Sequence, residues 1–381
     1  MKKFVFVILA AVATACGGHA ATGNDTTSNG TDSTTDTATV QYTLREDIAQ
    51  MLMVGFRGQA VDSLVVRDVR DLKVGGVILF EYDAPSGTRK RNVANPEQVR
   101  RLCADLQALA PGRLLIGIDQ EGGNVSRLRT AYGFDANRSA KATASDGDDT
   151  VRRYARLCAE QLQRLGINLN FAPCADVDAV PPCPVIGGME RSFGTDAGRV
   201  AECCRIWIDE QDKRGVMSCL KHFPGHGSAK GDTHKGLVDV SATWRRSELE
   251  PYRRLIADGR VPMVMTAHVV NRNTDPAGLP ASLSAATVSL LRDTLGFDGL
   301  IITDDMAMGA ITANYGYAEA IAMAIEAGAD MLCLSNNGSH YDPDLAPRTV
   351  ALIEQLVAQG KVSEAKIHRA AERVRRAAAR Y

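Results

Sequence analysis

The chain has 381 residues, with 44 basic and 45 acidic side chains, and 45% of its residues are hydrophobic. That apolar share excludes a wholly disordered chain, and a net charge of −1 argues against a protein built to bind nucleic acid or an anionic membrane surface. Nine cysteines are too sparse at this length for a disulfide scaffold.

Lys2 and Lys3 open an apolar run over residues 4–15. The run is shorter than the ~20 residues of a permanent transmembrane helix. Its charged start and small-residue end read as a secretory signal. Ala13, Thr14 and Ala15 lead directly into Cys16. The segment resembles a bacterial lipoprotein signal, whose cleavage leaves the cysteine as a lipidated N-terminus, although such signals usually carry leucine where Ala13 stands. Residues 1–15 are therefore assigned to the signal and Cys16 to lipidation. Residues 16–41 are almost wholly Gly, Ser, Thr, Asn, Asp and Ala, with little apolar surface to bury, and are assigned to a flexible tether. The folded body is expected over 42–381. It would be exported and held to a membrane of the cell envelope by the lipid alone.

Within the body, short apolar, β-branched runs occur at 51–56, 77–80, 114–118, 168–172, 218–223, 263–268, 300–303 and 331–335. Helix-like amphipathic stretches at 95–110, 149–165, 198–214 and 317–327 lie between them. Apolar strands alternating with helices indicate a parallel sheet covered on its faces, and eight such units match an α/β fold of the (β/α)₈ barrel type. Irregular early strands are allowed for. A dinucleotide site is discounted, because the glycines at 122 and 123 lack the GxGxxG spacing.

Nearly every run ends in something polar. Asp119, Gln120 and Glu121 follow the third; Asp176 and Asp178 follow the fourth; Lys221 and His222 close the fifth; His268 closes the sixth. Asp304 and Asp305 follow the seventh, and Asn336 the eighth. Strand C-termini emerge on one face of a barrel, so these groups would converge on one pocket.

Two segments carry the chemistry. In KHFPGHGSAKGDTH, residues 221–234, His222 and His226 stand four apart, a zinc-like helical spacing. Pro224 and Gly225 between them make it a loop spacing instead. The segment ends in Asp232-Thr233-His234, where a carboxylate two residues from an imidazole can orient it as a general acid. In ITDDMAM, residues 302–308, a buried strand delivers Asp304 and Asp305. Successive side chains of an extended segment face opposite ways, so one of the two should face the barrel axis and the other hydrogen-bond the structure. A carboxylate opposite an acid on a loop fits double-displacement glycoside hydrolysis.

The motifs IDQEGG, ERSFG, KHFPGHG with a downstream D-x-H, and TDD-x-x-M together resemble glycoside hydrolase family 3, in its β-N-acetylhexosaminidase branch. The resemblance runs from about Thr43 to the C-terminal region. It implies a retaining enzyme on a (β/α)₈ barrel that needs no cofactor or metal and acts on a carbohydrate. By position it implies Asp304 as nucleophile, His234 as acid/base and Asp232 as its partner. Asp119, Arg127, Arg191, Lys221 and His222 would hold the sugar. The branch follows because family 3 β-glucosidases usually draw the acid from a second domain, for which no residues remain. The family often shows arginine where Asn124 stands and aspartate where Ser228 stands.

The resemblance implies an exo-acting β-N-acetylglucosaminidase, with peptidoglycan fragments as substrate and chitin fragments as runner-up, working as a monomer. A β-glycoside phosphorylase, a β-glucosidase or β-xylosidase, a non-catalytic sugar-binding lipoprotein, and a metal-dependent hydrolase built on His222, His226, His234 and Asp232 are the alternatives. Of the eight body cysteines, Cys174 and Cys183 flank a proline-rich loop at a spacing open to pairing. Residues 131–150 carry no assignment.

Overall fold

The computed structural model describes residues 42–381. The signal (1–15), Cys16 and the tether (16–41) lie outside the described residues. Eight parallel strands form one sheet: β1 (Leu52–Gly55), β2 (Gly76–Leu79), β3 (Leu115–Ile118), β4 (Leu169–Asn170), β5 (Met217–Phe223), β6 (Met263–Thr266), β7 (Leu300–Thr303) and β8 (Leu332–Leu334). From β1 to β7 each strand pairs with the next in sequence, and β1 also pairs with β8. A parallel bridge between Ile302 and Met331 joins β7 to the segment entering β8, completing the circuit of a (β/α)₈ barrel.

The two-residue period of an extended chain explains what fills the barrel. Met53, Ile78, Leu115, Leu169, Met217, Met263, Leu300 and Met331 form the inner cluster. Their neighbours Val54, Val77, Ile116, Leu220, Val264 and Ile301 point outward into the layer under the helices. Each fully buried side chain of this kind contributes roughly 1.5–3 kcal/mol. The same phase carries past the strand ends. Leu115 and Gly117 are followed two and four residues on by Asp119 and Glu121, Met217 and Cys219 by Lys221, and Leu300 and Ile302 by Asp304. An inward apolar series thus becomes an inward polar one at the same end of several strands.

The helices start and stop where side chains allow it. Pro96–Leu109 begins after Asn95, whose side chain accepts from Gln98 N, and buries Val99, Leu102, Cys103 and Leu106. Asp148–Leu165 ends at Gly166 in the left-handed conformation. Residues 131–150 hold the short helix Ala140–Ser145 and the start of that longer one. Among the described residues no helix is long and apolar enough to cross a membrane.

Strand β4 is shorter than the sequence predicts, pairing only at Leu169 and Asn170. Asparagine amides take over the ladder beside it. Asn168 accepts from Ile116 N and donates to Leu114 O, and Asn170 accepts from Gln120 N and donates to Gln120 O. The cysteine pairing open to Cys174 and Cys183 is not made: all eight cysteines of the described residues are free. Cys174 Sγ instead meets Asp176 Oδ2 at 3.1 Å, and Cys183 Sγ lies 3.8 Å from His226 Nδ1.

Candidate active site

At the C-terminal ends of the strands lies a cavity of about 370 Å³. Asp119, Arg127, Arg191, Lys221, His222, Asp232, His234 and Asp304 all line it. Every site residue expected from the sequence within the described residues is therefore gathered on one pocket.

One wall is a buried ion network. Lys221 Nζ lies 2.8 Å from Asp119 Oδ1 and 2.7 Å from Glu121 Oε1. Arg191 grips Glu121 through two bonds of 2.8 Å and also donates to Val185 O. Arg127 reaches Asp119 Oδ2 at 3.1 Å, while its Nε is buried with no protein partner among the described residues. Burial pushes the Glu121 carboxyl up, but Arg191 and Lys221 outweigh it and hold Glu121 at about 2. Burial also opposes the charged forms of Asp119 and Lys221. The cations beside Asp119 hold it far below the usual carboxylate range, and Asp119 and Glu121 hold Lys221 above the usual lysine range. The wall is charged throughout, yet nearly neutral in sum.

His222 joins this wall from the far side. The Lys221–His222 peptide is cis, and both successive side chains line the pocket. Asp176 Oδ2 lies 2.7 Å from His222 Nδ1, and Arg191 Nη2 lies 3.2 Å from His222 Nε2. A guanidinium can only donate, so the ring proton belongs on Nδ1, facing Asp176. Asp176 is fully buried and also accepts from His222 N, His226 N and Cys174 Sγ.

Asp304 and Asp305 divide as the strand phase requires. Asp305 is occupied by structure: its carboxylate accepts from Ala307 N, Ser335 N and Ser335 Oγ. Asp304 Oδ1 accepts Asp305 N at 2.8 Å, and the carboxylate opens on the pocket. Burial pushes Asp304 up, but His268, His222, His234 and the Asp305 N–H outweigh it and hold the group below the usual range. It is therefore an ionised carboxylate at neutral pH. His268 supports this turn from β6, with Nε2 2.9 Å from Asp305 O and Nδ1 2.6 Å from Ser282 Oγ.

The opposite side is the loop after β5. Asp232 Oδ1 lies 2.8 Å from His234 Nδ1 and accepts His234 N at 2.9 Å. The His234 side chain is 69% exposed. Two backbone bonds tie this loop to the one carrying Asp304: Gly309 N to His234 O, and Ala310 N to Thr233 O. A side chain at 309 would bring Cβ to 2.7 Å from His234 O, so glycine is needed for the approach. Gly227 is needed in the same way, since a Cβ there would lie 1.8 Å from Val177 O.

The sequence reading does not assign Glu121, Asp176, His226 or His268 to the site, although all but His226 stood among its strand-end polar groups. The spacing of Glu121 two residues after Asp119 was the available signal for the first. His226 is buried between Cys183 and Thr233, and burial lowers it to about 4. The metal set of His222, His226, His234 and Asp232 does not assemble. Among the described residues the one group of three potential ligands is Cys174, Asp176 and His222. Asn124 sits at the rim, donating to Met189 O, and the buried Ser228 Oγ has no partner among the described residues.

Known proteins resemble this chain in sequence and in fold. The glycosyl hydrolase family 3 N terminal domain matches residues 43–377. A beta-hexosaminidase of Pseudomonas aeruginosa is 34% identical over 282 residues, covering 73% of this chain and 80% of that protein. A beta-hexosaminidase of Mycobacterium tuberculosis is 32% identical over 87% of this chain and 81% of its own length. Among solved structures, a family 3 beta-N-acetylglucosaminidase from Paenibacillus superposes with a TM-score of 0.81 at 36% identity over 89% of this chain, which spans 63% of that longer protein. A beta-N-acetylhexosaminidase from Beutenbergia cavernae gives 0.78 at 30% identity, over 89% of this chain and 99% of that one. A family match across nearly the whole barrel, joined to these relatives, places the chain in glycosyl hydrolase family 3.

Proposed function

We propose that this glycoside hydrolase is a retaining, exo-acting β-N-acetylglucosaminidase working by double displacement, with Asp304 as nucleophile and His234 as acid/base. The observation that carries the reading is the opening of Asp304 and the Asp232–His234 pair onto one pocket from two loops tied together by backbone bonds. In the first step a carboxylate oxygen of Asp304 bonds to the anomeric carbon, while His234 gives its Nε2 proton to the departing oxygen. In the second, water attacks that carbon, His234 takes the water's proton, and the bond to Asp304 breaks. Asp232 keeps the Nδ1 proton in place, so that Nε2 is the atom that exchanges a proton with the substrate.

Asp119, Lys221, Arg191, His222 and Arg127 hold the hydroxyls of the terminal sugar. With Glu121 and Asp176 behind them their charges are balanced, so an uncharged sugar meets strong hydrogen-bond partners without carrying a charge. The relatives named as hexosaminidases and N-acetylglucosaminidases support an N-acetylated sugar. Peptidoglycan fragments are the proposed natural substrate. The body acts as a monomer, exported and anchored by lipid at Cys16; the small-residue run before Cys16 supports this part of the reading.

A panel of aryl glycosides of N-acetylglucosamine, glucose and xylose, with and without phosphate, tests the reaction. Hydrolysis of the N-acetylglucosaminide with free sugar as product is expected. A preference for glucose or xylose, or release of sugar 1-phosphate, would replace the reading with one of its alternatives.

A further inference from the structure

We propose that Cys174, Asp176 and His222 form a capture site for a divalent metal ion of the zinc class, and that an ion held there switches the sugar pocket off. Cys174 Sγ, Asp176 Oδ2 and His222 Nδ1 lie within 4.8 Å of one another. Asp176 Oδ2 stands between the other two, at 3.1 Å from the sulfur and 2.7 Å from the nitrogen. Sulfur, carboxylate oxygen and imidazole nitrogen are the donor set of such ions, and an entering ion would replace the two hydrogen bonds that now join them, spreading the donors by about half an ångström. The three residues are 2%, 0% and 6% exposed, so the donors are already held in place.

The local charge favours an added cation. Asp176 is an anion and the Cys174 thiol becomes one on losing its proton, so the two together offset the ion's double charge. Of the three residues only His222 lines the sugar pocket, and the ion would enter past its ring.

Capture has a consequence for the sugar-binding wall. The ion replaces the Cys174 thiol proton, which leaves to solvent, and bonds His222 at Nδ1, whose proton passes to Nε2. His222 Nε2 changes from acceptor to donor, 3.2 Å from an Arg191 nitrogen that can only donate. Arg191 is pinned on its other sides by Glu121 and Val185 O, so the wall loses the contact and the pocket its fit for the sugar.

The loss of activity rests on the proposed hydrolase reading, whereas capture of the ion is read without substrate. Titrating the full chain with Cd²⁺ should produce a thiolate-to-metal absorption band. The band should be absent in Cys174→Ser and in Cys174→Ala, the second guarding against a misfolded first variant, with circular dichroism confirming the fold. Zn²⁺ should inhibit turnover of an aryl N-acetylglucosaminide, with reversal by EDTA. In the folded Cys174 variants the zinc needed for half-inhibition should rise about 10- to 100-fold. A band that survives in both variants, or variants as zinc-sensitive as the parent, overturns the proposal. Absence of any N-acetylglucosaminide turnover would sink the hydrolase reading and leave the absorption band to decide the site.

Discussion

A single oxygen, Asp232 Oδ1, holds both the backbone N–H and the ring Nδ1 of His234, at 2.9 and 2.8 Å. The pair is a short-range device: a two-residue turn gives an exposed imidazole one orientation and one tautomer.

Replacing His234 by alanine should therefore penalise substrates according to their leaving group. A disaccharide needs its departing oxygen protonated and should lose about 10²- to 10⁴-fold in kcat/KM. An aryl glycoside with a stable phenolate needs less help and should lose much less in the first step. Steady-state kinetics on both substrates checks this, and equal losses would remove the acid role from His234.

Glu121 is the common partner of Arg191 and Lys221. Glu121→Ala would leave part of two buried cations uncompensated and should destabilise the fold by roughly 3–5 kcal/mol. Urea unfolding at neutral pH reads the loss. A change under 1 kcal/mol would mean that Asp119 alone neutralises the wall.

Asp176 acts through His222 and holds its Nδ1 proton. Asp176→Asn should raise KM for the N-acetylglucosaminide about tenfold, since the loss of one well-placed hydrogen bond to a charged group is worth about 1.5 kcal/mol, and should leave kcat within a few-fold. A collapse of kcat at unchanged KM would make Asp176 part of the chemistry.

Glu248 predicts a pH effect on stability. Burial raises its carboxyl from the ordinary 4.5 to about 7. Between these values the folded state holds a proton that the unfolded state has lost, so stability falls as pH rises through 7 and is fullest below 4.5. The contribution at stake is on the order of 3 kcal/mol. Glu248→Gln should thus gain on the parent at pH 8 relative to pH 5 in urea unfolding. A difference independent of pH would contradict the shift.

Much of this site was legible in the sequence because the strand period is rigid. Asp119, Lys221 and Asp304 follow inward-facing apolar residues at even spacing, so direction could be read from the chain alone. The division of labour between Asp304 and Asp305 followed from the same rule, and the residues 300–303 were placed to the residue. What escaped depends on contacts between distant segments. Asp176 sits in irregular chain after β4, and its importance comes from His222, 46 residues on. Strand β4 was overestimated because Asn168 and Asn170 read as strand residues, while their amides replace the ladder bonds. The Cys174–Cys183 spacing was open to a disulfide, yet each thiol meets a polar group of the catalytic loops instead.

The central claim is a covalent bond between Asp304 and the sugar, and trapping it is the most direct test. A fluorinated N-acetylglucosamine donor with a good leaving group should accumulate the intermediate, and peptide mapping by mass spectrometry should find the sugar on Asp304. An adduct on another residue, or full turnover of the donor by a folded Asp304→Ala variant, would contradict the account.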